Sequence, residues 1–450
     1  MTMDQKRRVL GRIGPAFIAG ACIIGPGSVT LMSKTGSLYG YAMLWLALGS
    51  GALMAGFIAL FMRFGIYCDD TFLGLTAKRI GRWYAVLCGI SLFSVDATFQ
   101  FGNCLGVTAA MNTLLPGVPQ IVWPIAFTGA AVAFLFVFRN IYRVVEKMMV
   151  FFLIFMAVAF LANLVWAGPD LTAALRGVCV PSIPPGVDWV TLGGLVATTF
   201  VIVVAFFQSY LVKAKGWGER DLGSAAADTV LASIMYTLIG MAIMMTAAAV
   251  LYPSKTVESA TAMAGQLEGV FGPYAKLVFC LGFLSAAFSS FITNSLIGGV
   301  LLNDGLGFGG RLDSLPTKLF ATLVLLIGMT TAIAITRAKP RPTPSAREPS
   351  STTQVASLPA AGPRSPDVSK VIADRKVKAI AVGQAATMLA VPLGAIAMVV
   401  VLFDRRATQG RALAPWTKGF VLFGTIVLLG ISLMMFVKIK PRLVEVFGLG

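Results

Sequence analysis

The chain has no histidine. Across its 450 residues only 19 acids stand against 36 lysines and arginines. Charged residues make up 12% of it and apolar residues 57%, where a soluble chain is about 25% charged. Each shortage excludes something. Without histidine the commonest metal ligand and the usual near-neutral proton carrier are gone. With so little charge the apolar surface cannot be hidden in a soluble fold. The six cysteines (Cys22, Cys68, Cys88, Cys104, Cys179, Cys280) show no paired spacing and read as small buried residues. No nucleophile motif and no cluster of acids suggests catalysis, so an enzyme is not expected, and neither is a cofactor. The net charge of +17 does not point to nucleic acid, because the basic residues fall between apolar runs, where they orient a membrane protein.

What is present is a series of apolar runs, each near the ~20 residues that a span needs. They lie at about 14–32, 41–61, 83–112, 121–138, 148–167, 190–212, 229–251, 273–302, 317–336, 377–402 and 416–437. The chain therefore reads as an all-α polytopic membrane protein with about eleven spans. After Lys6-Arg7-Arg8 the apolar run continues with no small-residue cleavage site, so the first span is expected to be retained. Basic residues in short loops (Arg12, Lys78, Arg79, Arg82, Arg143, Lys147, Lys213, Lys215) put the N-terminus in the cytoplasm. Residues 337–376 are rich in Pro, Ser and Ala and read as a disordered extracytoplasmic loop.

The first run contains IIGPGSVT at residues 23–30. Proline removes a backbone hydrogen bond and its neighbouring glycines weaken the helix, so a break is expected near Gly25-Pro26-Gly27. Broken backbone at membrane depth survives only where protein or water satisfies it, and secondary transporters build binding sites from such half-helix ends. A proline kink with no ligand is the alternative. The sixth run has no Gly or Pro between Val196 and Lys215, so nothing in it announces a break.

GRIGPAFIAGACIIGPGSVT followed by GYAMLWLAL resembles the opening of the Nramp (natural resistance-associated macrophage protein) family. SVDATFQFGNCLG, YRVVEKMM, VVAFFQSYLVKAKG, FLSAAFSSFITNSLIGG and VGQAATMLAVPLGAIAMVVVLFDRR resemble later segments of that family, in order. The resemblance implies a LeuT-type fold: two inverted five-helix repeats, about 12–167 and 188–402, plus an extra span at 416–437. The chain would be one transmembrane domain over 1–450. The resemblance also implies proton-coupled import of divalent metal. It places the substrate site at Gly25, Pro26, Gly27, Ser28, Val201 and Gln384, and the proton pathway at Asp96 and Lys318. The departures fall at the site. Gly25 and Ser28 stand where the family has Asp and Asn, Val201-Ile202-Val203 covers the stretch where it has Met-Pro-His, and Phe99 replaces a second acid. Ser28 and Gln384 are the only metal-ligand candidates left, both weak.

Other polar residues sit inside spans. Asp96, Gln100 and Asn103 share one helical face, which suits either a water path or interhelical hydrogen bonds. Ser289, Ser290, Thr293 and Asn294 form a second patch, and Gln208 with Tyr210 a third; both read as helix packing. Lys318 reads equally as an interfacial lysine. Two function classes follow: a secondary transporter with a degenerate metal site, carrying a loosely held divalent cation or a small organic or anionic solute, or a non-transporting protein that keeps the fold. The expected setting is a monomer in a bilayer, in a bacterial inner membrane.

Overall fold

The computed structural model describes residues 14–138, 140–253, 272–337, 368–404 and 414–447. Among these the regular elements are helical: α1 (Pro15–Ile23), α2 (Pro26–Tyr39), α3 (Leu44–Tyr67), α4 (Phe72–Arg79), α5 (Arg82–Leu114), α6 (Val122–Val137), α7 (Ile141–Ala167), α8 (Leu171–Cys179), α9 (Trp189–Thr199), α10 (Ile202–Lys215), α11 (Leu222–Leu251), α12 (Pro273–Leu306), α13 (Leu315–Arg337), α14 (Val368–Thr387), α15 (Val391–Phe403) and α16 (Pro415–Phe447). Nine helices among the described residues are long and apolar enough to cross a bilayer, or ten if the bent pair α1–α2 is one span; α6 is a shorter apolar helix. This is consistent with the segments read from the sequence. Of the loop at 337–376, residues 338–367 lie outside the described residues. Its last part is helical, the beginning of α14. The last proline of that loop is Pro366, and no proline interrupts the residues that follow it up to Thr387.

Burial sorts the spans. The apolar window of α9–α10 is wholly buried, whereas those of α7, α13 and α16 are only 33% buried and present Val158, Ile426 and Leu433 outward. Every residue of α1 is buried. The two central spans are thus jacketed by lipid-facing helices. Aromatic packing joins α3, α4 and α10: the Phe72 and Phe206 rings stack at 4.5 Å, and Phe61 meets Phe206 edge-on at 5.0 Å.

Two buried acids fasten the central spans. Asp228 on α11 accepts the backbone N–H groups of Gly14 and Ala16 at 2.6 and 2.8 Å, which satisfies the orphan donors at the start of α1. Close by, Lys215 at the end of α10 pairs with Glu146 of α7. At the end of α12, Asp304 accepts the Tyr210 hydroxyl at 2.6 Å and the Thr71 hydroxyl at 2.8 Å. That ties α10 and the cap of α4 to α12.

Close approach also depends on missing side chains. A Cβ on Gly65 of α3 would lie 2.7 Å from the Ser209 carbonyl oxygen and 2.9 Å from its Cα. Backbone cannot step aside as a side chain can. Gly65→Ala is therefore expected to cost about 1–3 kcal/mol, read as a fall of several degrees in the melting temperature of the detergent-purified protein. An unchanged melting temperature would contradict this seating of α10 on α3.

Candidate functional site

The first span breaks between Ile23 and Pro26, and its halves are bent by 52°. Pro26 occupies the first turn of α2, and Gly25 precedes it with extended backbone at φ −105°. A proline in that position gives up no hydrogen bond. The other end of the break must satisfy the last carbonyls of α1. The Ile24 N–H reaches Gly20 O. The next three carbonyls face hydroxyls in succession: Ser289 shares its proton between Ala21 O at 3.2 Å and Ala286 O at 3.0 Å, Ser290 donates to Cys22 O at 3.4 Å, and Ser28 to Ile23 O at 2.5 Å. Three serines on two helices replace the missing turn.

The sixth span also breaks, at Phe200-Val201, although it lacks Gly and Pro at that point. The residues around the break explain it. Thr198, Thr199, Val201, Ile202, Val203 and Val204 are β-branched and poor helix formers. The hydroxyls of Thr198 and Thr199 both turn back to Leu195 O, a bond that competes with and bends the helix. The Ser28 hydroxyl also approaches Thr198 O at 3.2 Å, so the two breaks meet at one side chain.

Between the breaks lies a cavity whose empty space, counted together with the open solvent at its mouth, is about 270 Å³. The first span contributes Cys22, Gly25, Gly27 and Ser28, and the sixth Thr198 and Val201. Phe99 and Asn103 face it from α5, Ser290 and Asn294 from α12, and Gln384 from α14. No lining side chain is Asp, Glu, Lys or Arg. Among the described residues no group of three or more His, Cys, Asp or Glu is placed to hold a metal ion. The Cys22 thiol donates to Asn294 Oδ1 at 2.8 Å.

Gln384 is lodged by glycines. A Cβ on Gly27 of α2 would lie 2.6 Å from its Nε2, and one on Gly102 of α5 2.7 Å. Its Oε1 is buried with no protein hydrogen-bond partner. Pro26 packs in the same way against Gly106 of α5. Of the residues singled out from the sequence, Gly25, Gly27, Ser28, Val201 and Gln384 thus share one cavity, and Pro26 sits behind it.

Asp96 and Lys318 do not line that cavity. Asp96 is 0% exposed on α5, beside Gly298 of α12, and neither of its carboxyl oxygens has a protein partner. One turn along, Gln100 accepts from Asn103 at 3.2 Å, so the polar face of α5 leads from Asp96 to the cavity wall. Lys318 lies at the start of α13, donating to Phe138 O at 3.3 Å with its ammonium over the Phe136 ring. Asn103, Asn294 and Ser290 were visible in the sequence as polar patches, yet nothing there turned them toward the break. Thr198 and Cys22 carried no signal of their own.

Broken helices in the first and sixth spans, meeting at a cavity lined by uncharged residues, define an integral membrane transporter with a LeuT-type fold. The chain belongs to the Nramp family: the model described as natural resistance-associated macrophage protein-like matches residues 16–342. The divalent metal cation transporter MntH of Yersinia pestis is 25% identical over 344 residues, covering 73% of this chain and 82% of that protein. The MntH of Deinococcus radiodurans is 27% identical over 335 residues, covering 72% and 76%. Among solved structures, a point mutant of the Eremococcus coleocola manganese transporter superimposes with a TM-score of 0.77 at 14% identity, covering all of this chain and 90% of that one. MhsT in complex with L-phenylalanine gives 0.51 at 14% identity, covering 94% and 98%.

The seat of Gln384 yields a test. Gly27→Ala should drive its amide out of the slot and lower substrate uptake into proteoliposomes roughly tenfold, the scale of ~1.4 kcal/mol. Gly49→Ala, with no atom near its added methyl, should leave uptake unchanged. Equal uptake in both variants would separate Gln384 from the transport site.

Proposed function

We propose that the chain is a secondary-active carrier of a hard divalent cation that keeps part of its water shell while it crosses. The observation that carries this is the lining: a small cavity with no charged side chain, whose polar groups are amides and hydroxyls set among apolar residues, with Gln384 Oε1 buried and unpartnered at its wall. Magnesium-like ions dehydrate reluctantly and accept such ligands through water. Softer transition metals favour thiolate and imidazole, and the lining offers one thiol, engaged with Asn294, and no imidazole. The relatives named as divalent metal cation transporters support the cargo class. With Gly25 and Ser28 where the resemblance puts Asp and Asn, manganese would be held only weakly. The N-terminus of α2 would favour a small anion instead, but the lining has no basic side chain to pair with one.

The breaks at Ile24-Gly25 and at Phe200-Val201 open the corresponding first spans of two inverted repeats, read as about 12–167 and 188–402. Alternating access would rock these spans around the cavity. The remaining reading is a monomer in a bacterial inner membrane, N-terminus in the cytoplasm, with Asp96 as the proton-carrying group and Lys318 as a candidate for proton exit.

Two measurements test it. Magnesium uptake into proteoliposomes should exceed manganese uptake at equal low concentration, and Gln384→Leu should reduce it roughly tenfold, again ~1.4 kcal/mol; uptake of a small carboxylate with no divalent flux would overturn the cargo class. If protons drive transport, an inward proton gradient should stimulate uptake by the unaltered protein and not by Asp96→Asn. Equal stimulation in both would remove Asp96 from the coupling.

A further inference from the structure

We infer that Ser290 is a specificity-determining residue: its hydroxyl occupies the place that a side chain at position 25 would take, so this cavity admits no charged ligand from the first span. The argument starts from backbone geometry. Gly25 has φ −105° and ψ 177°, an extended conformation open to any L-residue, so glycine is not required there by its torsions. It is required by space. A Cβ built on Gly25 would meet Ser290 Oγ at 2.6 Å, closer than such contacts occur. The next atoms are Ser290 Cβ at 3.4 Å and Asn103 Oδ1 at 3.5 Å, both within ordinary reach. Of the atoms nearest such a Cβ, that oxygen alone is too close.

That oxygen is not free to turn away without consequence. It donates to Cys22 O at 3.4 Å, the middle one of the three carbonyls capped at the end of α1. Rotating it leaves a buried acceptor unsatisfied at membrane depth. The same hydroxyl therefore stabilises the break and fills the space that a Cβ at position 25 would need. Asn103 also borders that space and lines the cavity. Polar atoms facing position 25 thus come from α12 and α5, and they are neutral dipoles. The consequence is selectivity: dipoles at this distance suit a cation that keeps its water, whereas a carboxylate in the same space would replace water and hold a transition metal directly.

This rests on the cation-carrier reading for its meaning, but its test does not depend on which cargo the unaltered protein moves. The experiment is a double-mutant cycle read by calorimetry with manganese chloride: the unaltered protein, Gly25→Asp, Ser290→Ala, and both together. The two substitutions should be strongly coupled. Gly25→Asp should raise manganese affinity at least tenfold more in the Ser290→Ala background than in the unaltered one, and the double variant should shift the ratio of manganese to magnesium uptake toward manganese. Equal gains from Gly25→Asp in both backgrounds, or no manganese binding by a folded double variant, would overturn the inference. Gly25→Ala covers the case in which the aspartate variants fail to fold. It should lower the melting temperature more with Ser290 in place than in the Ser290→Ala background, and equal shifts would equally contradict the clash.

Discussion

The structure depends on satisfying the carbonyls exposed where the first span stops. A helix that ends inside a bilayer leaves acceptors with no water to take them, and each unpaired one costs several kcal/mol. Here the acceptors are Ala21, Cys22 and Ile23, and the donors are the hydroxyls of Ser289, Ser290 and Ser28. Two of these serines are on α12 and one on α2. The break is therefore held by a neighbouring span and by its own second half. The Ser28 hydroxyl also approaches Thr198 O, which brings the sixth span to the same point. Asp228 fastens the far end of α1.

Neutral oxygens at the break have a chemical consequence. A carboxylate there would pull a cation out of its hydration shell, and imidazole or thiolate would favour softer metals. Hydroxyls and amides do neither strongly. They offer many weak contacts in a small volume, in keeping with a cargo that is loaded and released rather than trapped. On the proposed reading, selectivity would reside in cavity size and in the spacing of dipoles, with the two glycines that seat Gln384 setting where its amide lies.

The helical architecture was legible in the sequence because membrane spans announce themselves by length and hydropathy. The first break was legible because Gly-Pro-Gly removes a hydrogen bond and lowers helix propensity in one place. The second break was not. It arises from a β-branched cluster and from hydroxyls that turn back on the helix, and neither differs in composition from an ordinary buried span. The beginning of α14 was hidden because it follows directly on the Pro- and Ser-rich segment without a change in polarity. At the site, Gly25, Gly27, Ser28, Val201 and Gln384 could be named in advance through the resemblance. Ser290, Asn103 and Asn294 could not be oriented, because which face of a long span meets the break depends on how α5 and α12 pack against it. Asp304 and Asp228 serve long-range caps, and no local pattern marks those.

The central claim is that the cavity holds a divalent cation through water rather than by direct ligation. The most direct measurement is anomalous diffraction from crystals of the unaltered protein soaked in manganese. The account predicts that any manganese in the cavity bounded by Gly25, Asn103, Ser290 and Gln384 keeps water between itself and most of the protein oxygens. A manganese peak at direct coordination distance, about 2.0–2.3 Å, from three or more protein atoms would contradict it.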